Sequence, residues 1–171
     1  CEGLESTAEI FSTVINTLGY HMYSTRDFAS RIKGGHSNSK ICISEERINV
    51  IDYKTDILIA FDQATLDSYI PELDENSIII ADAKIKPEIS EEIKGLVAVF
   101  PITDLAKEIA NPIIKNIITL GICSALLYID SKIFYDMIEA KFSSKGEEIV
   151  NTNIQAFDKG REIMNDFMAE N

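Results

Sequence analysis

Asp56-Ile57-Leu58-Ile59-Ala60-Phe61-Asp62-Gln63-Ala64-Thr65-Leu66 is the stretch whose reading decides the fold. Asp56 to Phe61 is continuously apolar after its first residue, and the chain turns at Asp62 into a short helix. Continuous rather than alternating apolar runs belong to strands covered on both faces, as in a parallel sheet. Ser77 to Ala81 and Leu96 to Phe100 repeat the pattern, and Pro101 stops the second of them. Strands separated by helical stretches predict an α/β fold with a mostly parallel central sheet.

Upstream, Glu5 to Leu18 reads as an amphipathic helix. Ala8, Phe11, Val14, Ile15 and Leu18 fall at three- and four-residue spacing. Ser6 and Glu9 have capping-box spacing, and Gly19 stands where a helix would stop. The helix follows Gly3 directly, so a strand is expected upstream of Cys1, outside this numbering. Tyr20 to Ser24 reads as the next strand, followed by a polar glycine-bearing segment from Thr25 to Ser39. Lys40 to Ser44 alternates as a strand, with Arg47 to Ile51 as its expected hairpin partner across Glu45-Glu46.

Downstream, the last third is helical. Thr103 to Ala110 is short. Asn111-Pro112 supplies an N-cap and a first-turn proline for a buried helix to about Ile129. Ser131 to Phe142 and Glu147 to Met168 are two more helices, separated by Ser143-Ser144-Lys145-Gly146. The expectation is a single domain over residues 1–171: a three-layer, Rossmann-like α/β domain with a helical C-terminal part.

Composition narrows the function classes. The chain has 171 residues, 46% hydrophobic and 26% charged, which fits a globular chain with a core. Its formal net charge of −12 repels phosphate backbones, and the only basic cluster is Arg26, Arg31, Lys33 and Lys40. That cluster suits one anionic small molecule and not a nucleic acid. Three scattered cysteines lack the spacing of a zinc or iron–sulfur site and fit a reducing cytoplasm. Cys123 lies in an apolar run and reads as a small core residue. The longest apolar stretch, Ile117 to Ile129, is too short for a membrane span.

Three segments could carry chemistry. Gly3-Leu4-Glu5-Ser6-Thr7 is a glycine–helix junction whose backbone N–H groups would suit a phosphate or carboxylate, although Ser6 would serve equally as a plain cap. Ser30-Arg31-Ile32-Lys33-Gly34-Gly35-His36-Ser37-Asn38 combines cationic reach with two glycines that let a surface approach closely; otherwise it is an ordinary loop. Asp62 lies at the carboxyl end of a strand, where α/β sheets bind ligands, and would also cap the following helix. Glu45-Glu46, Glu91-Glu92 and Glu147-Glu148 read as solvated charge. No complete catalytic set emerges.

The same residues resemble a known family. Gly3-Leu4-Glu5-Ser6-Thr7-Ala8-Glu9-Ile10-Phe11 is similar to the end of the glycine-rich opening of the gamma domain of pyruvate and 2-oxoglutarate:ferredoxin oxidoreductases. Arg26 to His36 resembles that family's arginine–glycine–glycine loop, with Lys33 where arginine is usual. Asp62-Gln63, Asn111-Pro112, Asn116 and Leu120-Gly121 resemble further motifs of it. The resemblance implies a non-catalytic component of a thiamine-dependent enzyme of anaerobic metabolism, which converts a 2-oxoacid to acyl-CoA. It implies alpha and beta components carrying thiamine diphosphate, iron–sulfur clusters on partner components, and a ferredoxin as acceptor. Gly3, Glu5, Ser6, Arg31, Lys33, Gly34, Gly35 and Asp62 would then face coenzyme A or the interface, with no other cofactor held by this domain alone. The wording of Ser30 to His36 is most similar to members whose gamma domain is fused ahead of an alpha domain. Separated from its partners, such a domain would self-associate. The alternatives are a self-contained nucleotide-binding module of regulatory or scaffolding kind, and a lone hydrolase or transferase using His36 and Asp62.

Overall fold

The structure is a computed structural model describing residues 2–28, 37–46 and 54–170, with side chains from 7–25, 40–46 and 54–170. The chain divides into two compact units, one of residues 19–100 and one of residues 1–18 with 101–171.

The first unit holds the expected parallel sheet. Strands β3 (Ile57–Ala60), β4 (Ile78–Asp82) and β5 (Leu96–Phe100) lie in the order β3-β4-β5, with Ile57 opposite Ile78 and Ile78 opposite Leu96. Leu58, Ala60, Ile79 and Leu66 of helix α2 (Gln63–Tyr69) form its apolar centre, joined by Tyr69, Leu73, Ile93 and Val97. Central β4 is buried from Ile79 onward. Edge strand β5 departs from the expectation of cover on both faces, since Leu96 and Val99 are each 45% exposed. A continuous apolar run does not distinguish a central strand from an edge strand.

A separate two-stranded sheet precedes these strands. β1 (His21–Phe28) and β2 (Ser37–Ser44) pair antiparallel, from His21 opposite Ser44 to Phe28 opposite Ser37. Among the described residues, β2 pairs with β1. The expected partner, Arg47 to Ile51, lies outside the described residues. β1 also runs four residues past the expected end at Ser24, because cross-strand pairing outweighs the polar character of Thr25 to Phe28.

The second unit is helical. Helix α1 spans Glu2–Thr17, and Leu18 N–H donates to the Val14 carbonyl before Gly19, at φ +88°, ends it. The helix begins before the expected Glu5, so Gly3 lies within its first turn and not in a turn ahead of it. Early N–H groups have no intrahelical acceptor, so a glycine there costs little. α3 (Ile102–Ile109), α4 (Lys115–Leu126), α5 (Ser131–Phe142) and α6 (Glu147–Glu170) complete the unit. Asn111 accepts from Ile113 N–H at 3.0 Å and caps the 3-10 turn Pro112–Ile114 that leads into α4.

α4 is the centre of the unit, with Ile117, Ile118, Leu120, Gly121, Ile122, Ser124 and Ala125 all buried. A helix apolar around its circumference must be covered on all sides. α1, α3 and α6 pack against it. On α6, Phe157 stacks tilted on Phe134 of α5 with ring centroids 5.0 Å apart. The α4–α6 contact is backbone to backbone. A Cβ on Gly121 would lie 2.0 Å from the Phe157 carbonyl oxygen, and one on Gly160 would lie 1.9 Å from that of Ile118.

α4 ends at Leu126, three residues short of the expected Ile129. Tyr128 N–H donates to the Ala125 carbonyl and Ile129 N–H to that of Ser124, the paired bonds of a Schellman stop. Tyr128 takes the left-handed position at φ +54° that glycine usually occupies, which hid the stop from the sequence. Arg161 of α6 reinforces the corner by donating to Ser124 Oγ and, at 2.8 Å, to the Ile129 carbonyl.

Gly121→Ala and Gly160→Ala should each destabilise the chain by about 1–3 kcal/mol or more through overpacking, against roughly 1 kcal/mol gained in helix propensity. Urea unfolding followed by circular dichroism measures this, and unchanged midpoints would contradict the close approach.

Candidate functional site

Asp62 is the candidate residue whose side chain is described, and it lies at the carboxyl edge of the parallel sheet. β3 ends at Ala60, opposite Ala81, and β4 ends at Asp82. Asp62 lies just beyond β3 as the N-cap of α2. Its Oδ1 accepts from Thr65 N–H at 2.7 Å, and its Oδ2 accepts from the Thr65 hydroxyl at 3.0 Å. Carboxylates at an N-cap satisfy free N–H groups and complement the positive helix end. The capping role weighed for Asp62 is thus the one its side chain performs here.

Gln63 acts as a clamp that sequence reasoning did not find. Its Oε1 accepts from Glu88 N–H at 3.0 Å, and its Nε2 donates to the Glu88 carbonyl at 3.1 Å and to Asp67 Oδ1 at 2.8 Å. The amide pairs with Glu88 as a neighbouring strand would, and holds the segment after β4 against the start of α2. Asp82, only 1% exposed, accepts from Lys84 N–H at 3.2 Å and shapes the same edge. A side-chain amide meeting a backbone 25 residues away leaves no local mark in the sequence.

Of the expected cationic cluster, Lys40 is the member whose side chain is described. Lys40 of β2 donates to Glu72 Oε2 at 2.7 Å, and Thr55 Oγ1 donates to the same oxygen at 2.9 Å. Both charged side chains are about three-quarters buried. The Glu72 hydrogen bond holds the Lys40 ammonium protonated above its ordinary range despite the opposing effect of burial. Lys40 therefore anchors the β1–β2 hairpin to the segment after α2, and its charge is already matched. Arg31, Lys33, Gly34, Gly35 and His36 lie outside the described residues, between Phe28 and Ser37, the final pair of the hairpin. Gly3, Glu5 and Ser6 lie in the first turns of α1, and their side chains are outside the described ones.

Among the described residues, no three His, Cys, Asp or Glu side chains are grouped to hold a metal ion. No described helix is long and apolar enough to cross a membrane. Cys123 is half-buried on α4, and desolvation of its thiol pushes the pKa up to about 12, so at neutral pH it is a thiol and a poor nucleophile.

Comparison with known proteins adds the relationships. Residues 1–163 match the family described as pyruvate ferredoxin/flavodoxin oxidoreductase. The chain is 30% identical over 142 residues to 2-oxoglutarate synthase subunit KorC of Methanocaldococcus jannaschii, covering 81% of this chain and 75% of that one. It is 26% identical over 181 residues to the alpha subunit of a 2-oxoacid:ferredoxin oxidoreductase of a Sulfolobus species. That match covers 82% of this chain but only 29% of the Sulfolobus subunit, so the chain spans under a third of that relative's length. Two solved structures share the fold. One is the 2-oxoglutarate:ferredoxin oxidoreductase of Magnetococcus marinus with 2-oxoglutarate, coenzyme A and succinyl-CoA bound, at TM-score 0.84 and 23% identity over 94% of this chain and 28% of that chain. The other is the gamma subunit of a keto/oxoacid ferredoxin oxidoreductase of Geobacter sulfurreducens, at TM-score 0.75 and 20% identity over 94% of this chain and 90% of that one.

Two outcomes test the geometry of the site. A lysine whose folded pKa is raised stabilises fully below the ordinary value of 10.5, and that contribution fades as pH rises through the raised value. The stability gap between the wild type and Lys40→Met should accordingly be present at pH 7 and close above the raised value, as measured by urea unfolding at both. Cys123 should resist iodoacetamide at pH 8 in the folded chain and react once urea unfolds it. Peptide mass mapping reads the difference, and rapid labelling of folded protein would overturn the burial argument.

Proposed function

The chain belongs to the pyruvate ferredoxin/flavodoxin oxidoreductase family, and from that membership we propose that it works as the gamma component of a 2-oxoacid:ferredoxin oxidoreductase. The observation that carries this reading is the match to KorC, which extends over three-quarters of a subunit with its own separate name. The reaction is the oxidative decarboxylation of a 2-oxoacid: the acyl group passes to coenzyme A, carbon dioxide leaves, and two electrons pass to ferredoxin. The match to a stretch of the Sulfolobus alpha subunit supports a fused arrangement, in which the whole chain forms one gamma-type domain ahead of an alpha domain.

The division of labour follows the residues. In this reading metal and cluster chemistry falls to the partner components, as the family resemblance implies. Thiamine diphosphate supplies the carbanion chemistry there. This chain contributes positioning and closure. The first turn of α1, bearing Gly3, Glu5 and Ser6, presents backbone N–H groups and a positive helix end to an anionic group such as the phosphates of coenzyme A. Arg31 and Lys33 would offer cationic reach to an anionic ligand, and Gly34 and Gly35 would allow close backbone approach. Asp62 serves by shaping the sheet edge through its cap on α2. The chain then works in the cytoplasm beside its alpha and beta components and a ferredoxin.

Expression with its neighbouring genes tests the reading. The chain should co-purify with alpha- and beta-type components that oxidise a 2-oxoacid in the presence of coenzyme A. Arg31→Ala should raise the KM for coenzyme A about tenfold or more while leaving assembly intact. A chain that purifies alone, with no 2-oxoacid activity tracking with it, would sink the proposal and favour a nucleotide-binding module.

A further inference from the structure

α3 and α6 leave between them an open groove of about 620 Å³ that the proposed reaction does not use. Its floor is apolar, built from half-buried Leu105 and Ile109 of α3 and Ile154 of α6. Its walls carry the exposed carboxylates of Glu108, Asp158 and Glu162. The one cation in the lining, Lys159, donates to Glu162 at 2.8 Å, and Asp158 accepts from the Tyr135 hydroxyl. Arg161, the nearest further cation on α6, turns away to Ser124 and the Ile129 carbonyl. Three carboxylates facing one ammonium leave the groove negative on a chain of net charge −12.

Ile154, Asp158 and Glu162 repeat every four residues, so the trough follows the axis of α6. A trough between two helices, with a greasy floor and charged rims, is the shape that receives an amphipathic helix. We infer that the α3–α6 groove docks a cationic amphipathic helix of a partner protein, with apolar side chains on the Leu105, Ile109 and Ile154 floor and Lys or Arg against Glu108, Asp158 and Glu162. The sign of the charge selects this occupant. A nucleotide or an anionic membrane would be repelled by the same walls, whereas a basic helix gains in approach rate and in register. The inference is independent of the gamma-component reading, because it rests on the groove alone.

The test uses the full chain and a fluorescein-labelled synthetic lysine–leucine helix with one apolar stripe, read by anisotropy. The control probe is the same composition scrambled, with equal charge and no stripe. The striped peptide should bind more tightly than the scrambled one. Glu108→Lys with Glu162→Lys should weaken it roughly tenfold or more, and Ile109→Asn should weaken it with the charge unchanged. Glu91→Lys with Glu92→Lys, on exposed residues outside the groove, should leave binding unchanged. In wild-type protein, amide chemical-shift changes on adding the peptide should centre on α3 and α6, which keeps the test decisive if a variant fails to fold. Equal binding of the scrambled peptide, equal weakening by the Glu91–Glu92 pair, or shift changes elsewhere would overturn the inference and leave only diffuse acidic attraction.

Discussion

The close backbone approach of α4 and α6, with Gly121 against the Phe157 carbonyl and Gly160 against that of Ile118, sets the geometry of the helical unit. Each glycine faces a carbonyl of the opposite helix at a distance no side chain could share, so the two axes are fixed in separation and in rotation. Rotation matters most. With Gly160 turned toward α4, Ala156, Phe157 and Met164 are buried, and Asp158 and Glu162 fall on another face, where they wall the α3 groove. Arg161, one residue on, reaches Ser124 and the Ile129 carbonyl and steadies the corner where Tyr128 sits in left-handed conformation. A small shift along this contact would move the groove, the corner and the aromatic stack of Phe134 on Phe157 together.

The sheet unit obeys a different constraint. Its parallel strands have a shared apolar centre, but among the described residues the β1–β2 hairpin is a sheet of two strands, an arrangement marginal by itself in water. Tyr23 and Ile43 remain exposed on it, at 46% and 38%. The Lys40–Glu72 pair, joined by Thr55, anchors this ribbon. A charge that the sequence offered to a ligand is therefore spent on holding in place the strands that flank the arginine- and glycine-bearing segment.

Much of the architecture was legible because its signals are local. Apolar runs at Ile57, Ile78 and Leu96, the caps at Asp62 and Asn111, the stop at Pro101 and the limits of α5 all follow from neighbouring residues. The features that escaped depend on residues far apart in the chain. The run of β1 on to Phe28 along β2, the Gln63 clamp on Glu88 and the reach of Lys40 to Glu72 are set by tertiary contact. The stop of α4 escaped for another reason, since a tyrosine fills the place where glycine would have signalled it. At the candidate site, Asp62 could be placed from sequence because capping is local. Two glycines among cations, and not periodicity, pointed to the Arg31–Gly35 segment, and the family resemblance added to that reading.

The helical unit is also discontinuous along the chain, and that affects how the protein is made. α1 contributes Ile10, Phe11, Val14 and Ile15 to a core whose other helices begin only after Pro101. On the ribosome, roughly 100 residues separate the end of α1 from α4, about 5–20 seconds of synthesis at ordinary rates. Residues 19–100 form the sheet unit as one unbroken segment and can collapse during that interval. The nascent α1 meanwhile has its apolar stripe uncovered by these helices until α4 and α5 emerge.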